Sequence, residues 1–323
     1  MYNKITVGAV GAGDPAPIKV STEVFEGYGE CVKMSNGTVE LFVTKEVGPR
    51  VICYRYVGGK NIFGTLKKGE GDIKTELGTW EAFGGHRFWH APELTGTYAP
   101  DSNPVEFDMV GRSTARFICD CKEITGIRKE MYVRLDKTGS CVTVTHTLTN
   151  KGLLPVTVAP WGITIMESDG TAIIPQEPYA KHSENVLPVR PMVMWAFTNL
   201  SDERFKIGKR YVRLSCDSSL KEPQKFGVTD TLGWAAYAKG SRLFVKRFGY
   251  DKSYTYPDYG CNVEVYTAGR MLELETLGQL EMLKPGESAT HVEHWYLFND
   301  IELGSTEESI AKKLLPIIHK TDK

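Results

Sequence analysis

The sequence predicts an all-β chain, a large antiparallel β-sandwich with a short C-terminal helix. Three observations carry this. Apolar and polar residues alternate in short runs along most of the chain, the period of a strand with one buried face. Gly, Asn, Asp and Pro punctuate those runs. A helix signature occurs only near the end, so helices do not interleave with strands as they would in a parallel α/β fold. No Pro-, Ser- or charge-rich linker and no repeat of roughly 20–50 residues divides the chain, so residues 1–323 read as a single domain.

Taken in order, Thr38–Thr44 runs to the Gly48-Pro49 turn, and Arg50–Val57 ends at Gly58-Gly59. Lys129–Leu135 and Cys141–Leu148 flank Asp136-Lys137-Thr138-Gly139, a hairpin signal in which Asp and Gly supply the turn geometry. Pro155–Met166, Arg242–Phe248, Asn262–Tyr266, Met271–Leu277 and His291–Phe298 add further strands. Ser305-Thr306-Glu307-Glu308 has capping-box spacing and predicts a helix to about Leu315, stopped by Pro316.

The N-terminal Val7–Gly13 run is glycine-rich, but it lacks the G-x-G-x-x-G spacing and no helix pattern follows it, so it is not read as a dinucleotide loop. Gly8, Gly11 and Gly13 break its apolar character, and no secretory signal is expected. Nowhere do about 18 apolar residues run together, so no membrane span is expected. With 41% hydrophobic and 24% charged residues and a net charge of -1, composition argues against nucleic-acid and membrane-surface partners. The 7 cysteines are scattered, and Cys119 and Cys121 form C-x-C rather than C-x-x-C; reduced thiols in a cytoplasmic protein are expected. There is no G-x-S-x-G elbow and no P-loop.

Chemistry concentrates in two stretches. In Met271–Leu277, strand alternation puts Leu272, Leu274 and Thr276 on one face and Glu273 and Glu275 on the other. Two residues at about 3.3 Å rise separate the carboxylates by roughly 6.5–7 Å. That spacing suits acid/base work on a sugar, and repulsion would lift one pKa. The plain alternative is a solvated strand face.

The second stretch, Glu81–Glu93, groups His86, Arg87, Trp89, His90 and Glu93 beside Gly84-Gly85. Glycines admit close backbone approach, an aromatic face stacks on the C–H surface of a sugar, and arginine donates paired hydrogen bonds. It reads as a ligand-lining loop. A loop with one buried, satisfied histidine and a metal site on His86, His90 and Glu93 are the alternatives. Gly84-Gly85 and Pro92 argue against the helix that the metal reading invokes.

Elsewhere, His146 shares an apolar strand face with Val142, Val144 and Leu148, as a core histidine would. His291, Glu293 and Trp295 share another. The tyrosine-rich Lys246–Gly260 segment suits either a cleft rim or the covered edge of a sandwich.

In this order, several segments resemble the galactose mutarotase-like (aldose 1-epimerase) superfamily over roughly residues 36–298. Asn36–Tyr56 with Gly58–Gly64 is similar to that family's first hairpin. Thr149-Asn150 followed by Pro155-Val156 is similar to its "TN…PV" strand pair. Leu274-Glu275-Thr276 followed by Lys284-Pro285-Gly286-Glu287 is similar to its catalytic-glutamate strand and "PGE" hairpin. The Gly84–Glu93 stretch and the Leu272–Gly278 strand together look closer to a divergent bacterial branch of this superfamily than to the galactose enzymes themselves.

The resemblance implies a β-supersandwich and cofactor-free exchange of sugar anomers, with a glutamate as base on the anomeric hydroxyl and a histidine as acid on the ring oxygen. Glu275 matches that glutamate. The family's "HGG" reads Phe83-Gly84-Gly85 here, its second histidine aligns near Trp161, and its Arg-Asn motif is absent. The acid then falls among His86, His90 and His146, with His86 preferred. Arg87 would orient the substrate, Trp89 or Trp161 would stack on it, Glu273 would bond its hydroxyls, and Glu93 would line the site. The expected partner is a small-molecule carbohydrate, a sugar or sugar acid, with no cofactor and no metal. A non-catalytic carbohydrate-binding or sensing protein on the same fold is the rival expectation.

Overall fold

A computed structural model describes residues 18–120 and 125–322. The glycine-rich Val7–Gly13 run and Cys121 lie outside them. The described chain is mostly β: an 11-stranded and a 10-stranded antiparallel sheet, plus a 2-stranded ribbon. The centre of the larger sheet runs His86–Ala91, Val156–Met166, Met271–Leu277, Val263–Ala268, Gln224–Val228. The centre of the smaller sheet runs Arg242–Phe248, Ser288–Phe298, Val142–Asn150, Ile127–Leu135. The predicted hairpin is present, with Leu135 opposite Val142.

Alternation explains the sandwich. Leu272 and Leu274 of the larger sheet pack in one apolar cluster with Phe117, Met131, Val144, Phe244 and Trp295 of the smaller one. The opposite faces carry their own layers. On the smaller sheet, Ile310, Leu314, Ile317 and Ile318 of the C-terminal helix cover Trp234, Ala236 and Val245. On the larger sheet, Trp80, Trp89, Trp161 and Ile163 form an aromatic cluster.

The helix differs from expectation at both ends. It spans Glu307–Lys320, its cap is Thr306 paired with Ser309, and Pro316 lies inside it. Proline removes one backbone donor, but buried residues flank it on both sides, and their packing carries the helix through. Among the described residues no helix is long and apolar enough to cross a membrane.

The segment read as a loop at His86–Ala91 is a central strand. It begins where Gly84 and Gly85 hold φ of 100° and 65°. A Cβ on Gly85 would lie 2.4 Å from the Val51 carbonyl oxygen, so only glycine fits this approach. Cys31, Cys53, Cys216 and Cys261 are buried free thiols.

Candidate functional site

Register places the chemistry in rows across the larger sheet. One row reads Trp89, Trp161, Leu277. The next reads Arg87, Ile163, Glu275, Glu264. The third reads Ile165, Glu273, Tyr266, Lys225. All three rows face away from the second sheet. They underlie a cavity of about 350 Å³, within the roughly 300–1,000 Å³ usual for small-molecule sites. Arg87, Trp89, Trp161, Lys225, Tyr266 and Glu273 line it. The ribbon Ile73–Thr75/Gly78–Trp80 contributes Trp80, and Trp195 and Glu93 complete the walls.

The cations of this pocket are stacked and paired. The Arg87 guanidinium lies 4.4 Å from the Trp89 ring and 5.0 Å from Trp80, and donates to Glu273 Oε1 at 2.8 Å. Lys225 Nζ lies 4.6 Å from Trp195 and 5.0 Å from Trp161. It reaches Glu264 Oε2 at 2.7 Å and Glu275 Oε2 at 3.3 Å. Glu275 also accepts from Trp161 Nε1 at 2.9 Å, while its Oε1 has no hydrogen-bond partner. Gly227 opposite Glu264 leaves room for Cys261 and Glu264 side by side, since a Cβ there would lie 2.5 Å from Cys261 Sγ and 3.3 Å from Glu264 Cγ.

Glu275 shares the face of Glu273 as predicted, but it lies beneath the pocket floor, covered by Trp161 and Lys225. Burial pushes its carboxyl up to about 7, against the pull of Lys225. Burial also raises Glu264 well above the carboxylate range. Lys225 moves the other way: burial would lower it, but Glu275 and Glu264 outweigh that and hold its ammonium above the ordinary value. Two buried carboxylates on one ammonium retain a proton between them.

The histidines are elsewhere, which corrects the expected grouping. His86, Phe88 and His90 alternate with Arg87 and Trp89, so they point to the other side of the sheet. His86 and His146 meet between the sheets, Nε2 to Nε2 at 2.7 Å. His146 Nδ1 faces the His291 carbonyl oxygen at 3.2 Å and must donate to it. Its Nε2 therefore accepts, His86 Nε2 donates, and His86 Nδ1 takes a hydrogen bond from the Thr164 hydroxyl at 2.9 Å. Burial lowers both imidazoles, which stay neutral. His90 is buried too, and burial lowers it to about 3. No described histidine lines the pocket.

Below His86 lies a second lysine–carboxylate system. Lys246 Nζ bonds Thr164 Oγ1 at 2.9 Å and Glu293 Oε1 at 3.1 Å. Glu293 also accepts from Trp295 Nε1 at 2.6 Å and from the Thr276 hydroxyl. Burial would raise Glu293, but Lys246 foremost holds it well below the usual carboxylate range. Gly162 makes the space, because a Cβ there would sit 2.4 Å from Glu293 Oε1. His86, His146 and Glu293 bring ligand atoms within 4.8 Å, a spacing a metal could bridge. Both His–His nitrogens and both Glu293 oxygens are already engaged, and the Lys246 ammonium holds the cationic position. The His86, His90, Glu93 grouping does not form, because Glu93 lies on the pocket side.

This network predicts a specific acid response. Burial lowers His291 to about 3, whereas an unfolded histidine titrates near 6.5. Between those values the unfolded chain binds a proton that the folded one refuses, so stability falls as pH falls from 6.5. One such group contributes about 1.4 kcal/mol per pH unit. His291→Gln lacks this loss. Its stability deficit against wild type, measured by urea unfolding, is expected to shrink by about 2 kcal/mol from pH 6.5 to pH 5. A deficit independent of pH would refute a neutral, buried His291. Raised carboxyls such as Glu275 act oppositely but cancel in the comparison.

Sequence reasoning missed Lys225, Glu264, Trp80 and Trp195. Glu264 was legible, since Val263 and Val265 alternate with Glu264 and Tyr266. Gln224–Val228 carries the same alternation around Lys225, but in only five residues. Trp80 and Trp195 sit on a ribbon and a loop that no periodicity joins to the sheet.

The two-sheet antiparallel sandwich has a galactose mutarotase-like fold. Solved structures bear out the fold. A candidate aldose 1-epimerase from Klebsiella pneumoniae subsp. pneumoniae MGH 78578 is similar at TM-score 0.58 and 11% identity, over 94% of this chain and 88% of that one. A candidate mutarotase (YeaD) from Salmonella typhimurium is similar at 0.56 and 8%, over 87% and 94%. A galactose mutarotase-like protein from Clostridium acetobutylicum is similar at 0.53 and 12%, over 88% and 99%. No family model matches the chain, and no curated protein does.

Proposed function

We propose that this chain binds a sugar in the tryptophan-lined pocket and exchanges its anomers without a cofactor, as aldose 1-epimerases do. The observation that carries the reading is Lys225, which lines the pocket and touches the buried carboxyl pair. Anomer exchange needs one group to take the anomeric proton and another to protonate the ring oxygen. Glu273 lines the pocket beside Arg87 and takes the proton from the anomeric hydroxyl. C1=O1 forms as C1–O5 breaks, and Lys225 gives its proton to O5. The proton kept by Glu264 and Glu275 refills Lys225. Rotation about C1–C2 and the reverse steps close the other anomer.

Lys225 thus takes the acid role that the sequence assigned to His86, and Glu275 becomes a proton reservoir acting through Lys225. The test is exchange NMR of anomeric protons across hexoses, pentoses and hexosamines. Accelerated exchange on one sugar supports the reading. The rival, a carbohydrate-binding protein without turnover, is favoured by the burial of Glu275 beneath the floor. It predicts line broadening with no acceleration.

A further inference from the structure

The charge arrangement of the pocket narrows the ligand further; this inference rests on the sugar-binding reading above. Among the described residues lining the pocket, the cations are Arg87 and Lys225. Each already has a carboxylate partner, Glu273 at 2.8 Å and Glu264 at 2.7 Å. Behind Lys225 stands a second carboxyl, Glu275.

The pocket continues into an outer vestibule through shared walls at Ile73, Glu93, Tyr98 and Trp195. Glu76, Glu93 and Asp258 line that vestibule, with no lysine or arginine among its lining residues. Glu93 is exposed and accepts the Tyr98 hydroxyl, which adds no charge to offset it.

We infer that the ligand is an uncharged or amino-bearing sugar and that uronic acids and sugar phosphates are rejected. An incoming carboxylate or phosphate finds no unpaired cation. To bind Arg87 or Lys225 it must either crowd beside the carboxylate already bonded there or displace Glu273 or Glu264 into a largely dry site, where uncompensated negative charge is costly. On the way it crosses an acidic mouth whose field repels it and attracts an ammonium. Hydroxyls face no such barrier.

The experiment is a titration of the full chain, followed by ligand NMR, with one configurational series: a hexose, its 2-amino-2-deoxy analogue, its uronate and its 6-phosphate. The series is chosen for a hexose that broadens in the anomer-exchange screen. The hexose and amino sugar are expected to bind at least about tenfold more tightly than the uronate or phosphate, the size of one uncompensated like charge. Raising salt from low to about 0.5 M should narrow that gap, because screening reaches the exposed mouth first. Glu76→Gln combined with Asp258→Asn should strengthen uronate binding about threefold and leave the neutral hexose unchanged. A uronate or phosphate that binds as tightly as its parent hexose overturns this inference and leaves the sugar-binding reading intact. If no sugar in the screen broadens or exchanges, both fall.

Discussion

Lys246→Met is expected to lower stability by about 3–5 kcal/mol, the cost of leaving one member of a buried ion pair without its partner. Lys246 and Glu293 are fully buried between the sheets, and Lys246 supplies the only cation that touches Glu293 at hydrogen-bond distance among the described residues. With methionine there, Glu293 must either stay ionised in a dry interior or take up a proton, and each costs free energy. Thr164 Oγ1 and the Leu274 carbonyl oxygen also lose a donor. Combining Lys246→Met with Glu293→Gln removes the orphaned charge and should recover part of the loss. Urea unfolding at pH 7 measures both. A single-variant loss under about 1 kcal/mol would mean the buried pair contributes no more than a surface one.

Glu275→Gln is expected to slow anomer exchange by about 10²-fold or more, the lower range for removing a proton-transfer group. Glutamine keeps the shape and still accepts from Trp161 Nε1, so sugar binding should change by less than about threefold. The pH profile separates a chemical role from a packing role. A proton reservoir works while protonated, so wild-type exchange should fall as pH rises through about 7, where the Glu275 carboxyl titrates. The variant should lose that inflection. An inflection of opposite sign, with rate rising through 7, would make Glu275 a base that meets the sugar directly. An unchanged rate would remove Glu275 from the proton path.

The sandwich was legible because strand alternation is a local signal: each predicted strand needed only its own residues to show which face was apolar. The placement of Glu273 and Glu275 on the face opposite Leu272 and Leu274 followed from the same rule. The strand His86–Ala91 was misread because each of its faces mixes polar and apolar side chains, and Gly84-Gly85 ahead of it resembles a loop. Both faces of that strand are buried, so hydropathy gave no alternation to read. His86 and Arg87 therefore looked like neighbours in one site, although adjacent strand residues project to opposite sides.

The long-range partners were beyond local reading. Lys225 meets Glu275 across 50 residues, and His86 meets His146 across 60. Pro316 misled for the reverse reason. The local rule that proline ends a helix is overridden by contacts with strands distant in sequence.

The outer lysine–carboxylate system rests on the outward face of the larger sheet, and the inner one, carried by Arg242–Phe248 and Ser288–Phe298 of the smaller sheet, packs against its inward face. The larger sheet works as a partition. Trp89, Trp161 and Glu273 project outward from the larger sheet, whereas His86 projects inward from it to meet His146 and the Lys246–Glu293 system of the smaller sheet. Ligand preference can therefore be remodelled by substitution on the outward set while the interior that holds the two sheets together stays untouched. A scaffold partitioned in this way can diversify its chemistry step by step, with each step tolerated by the fold.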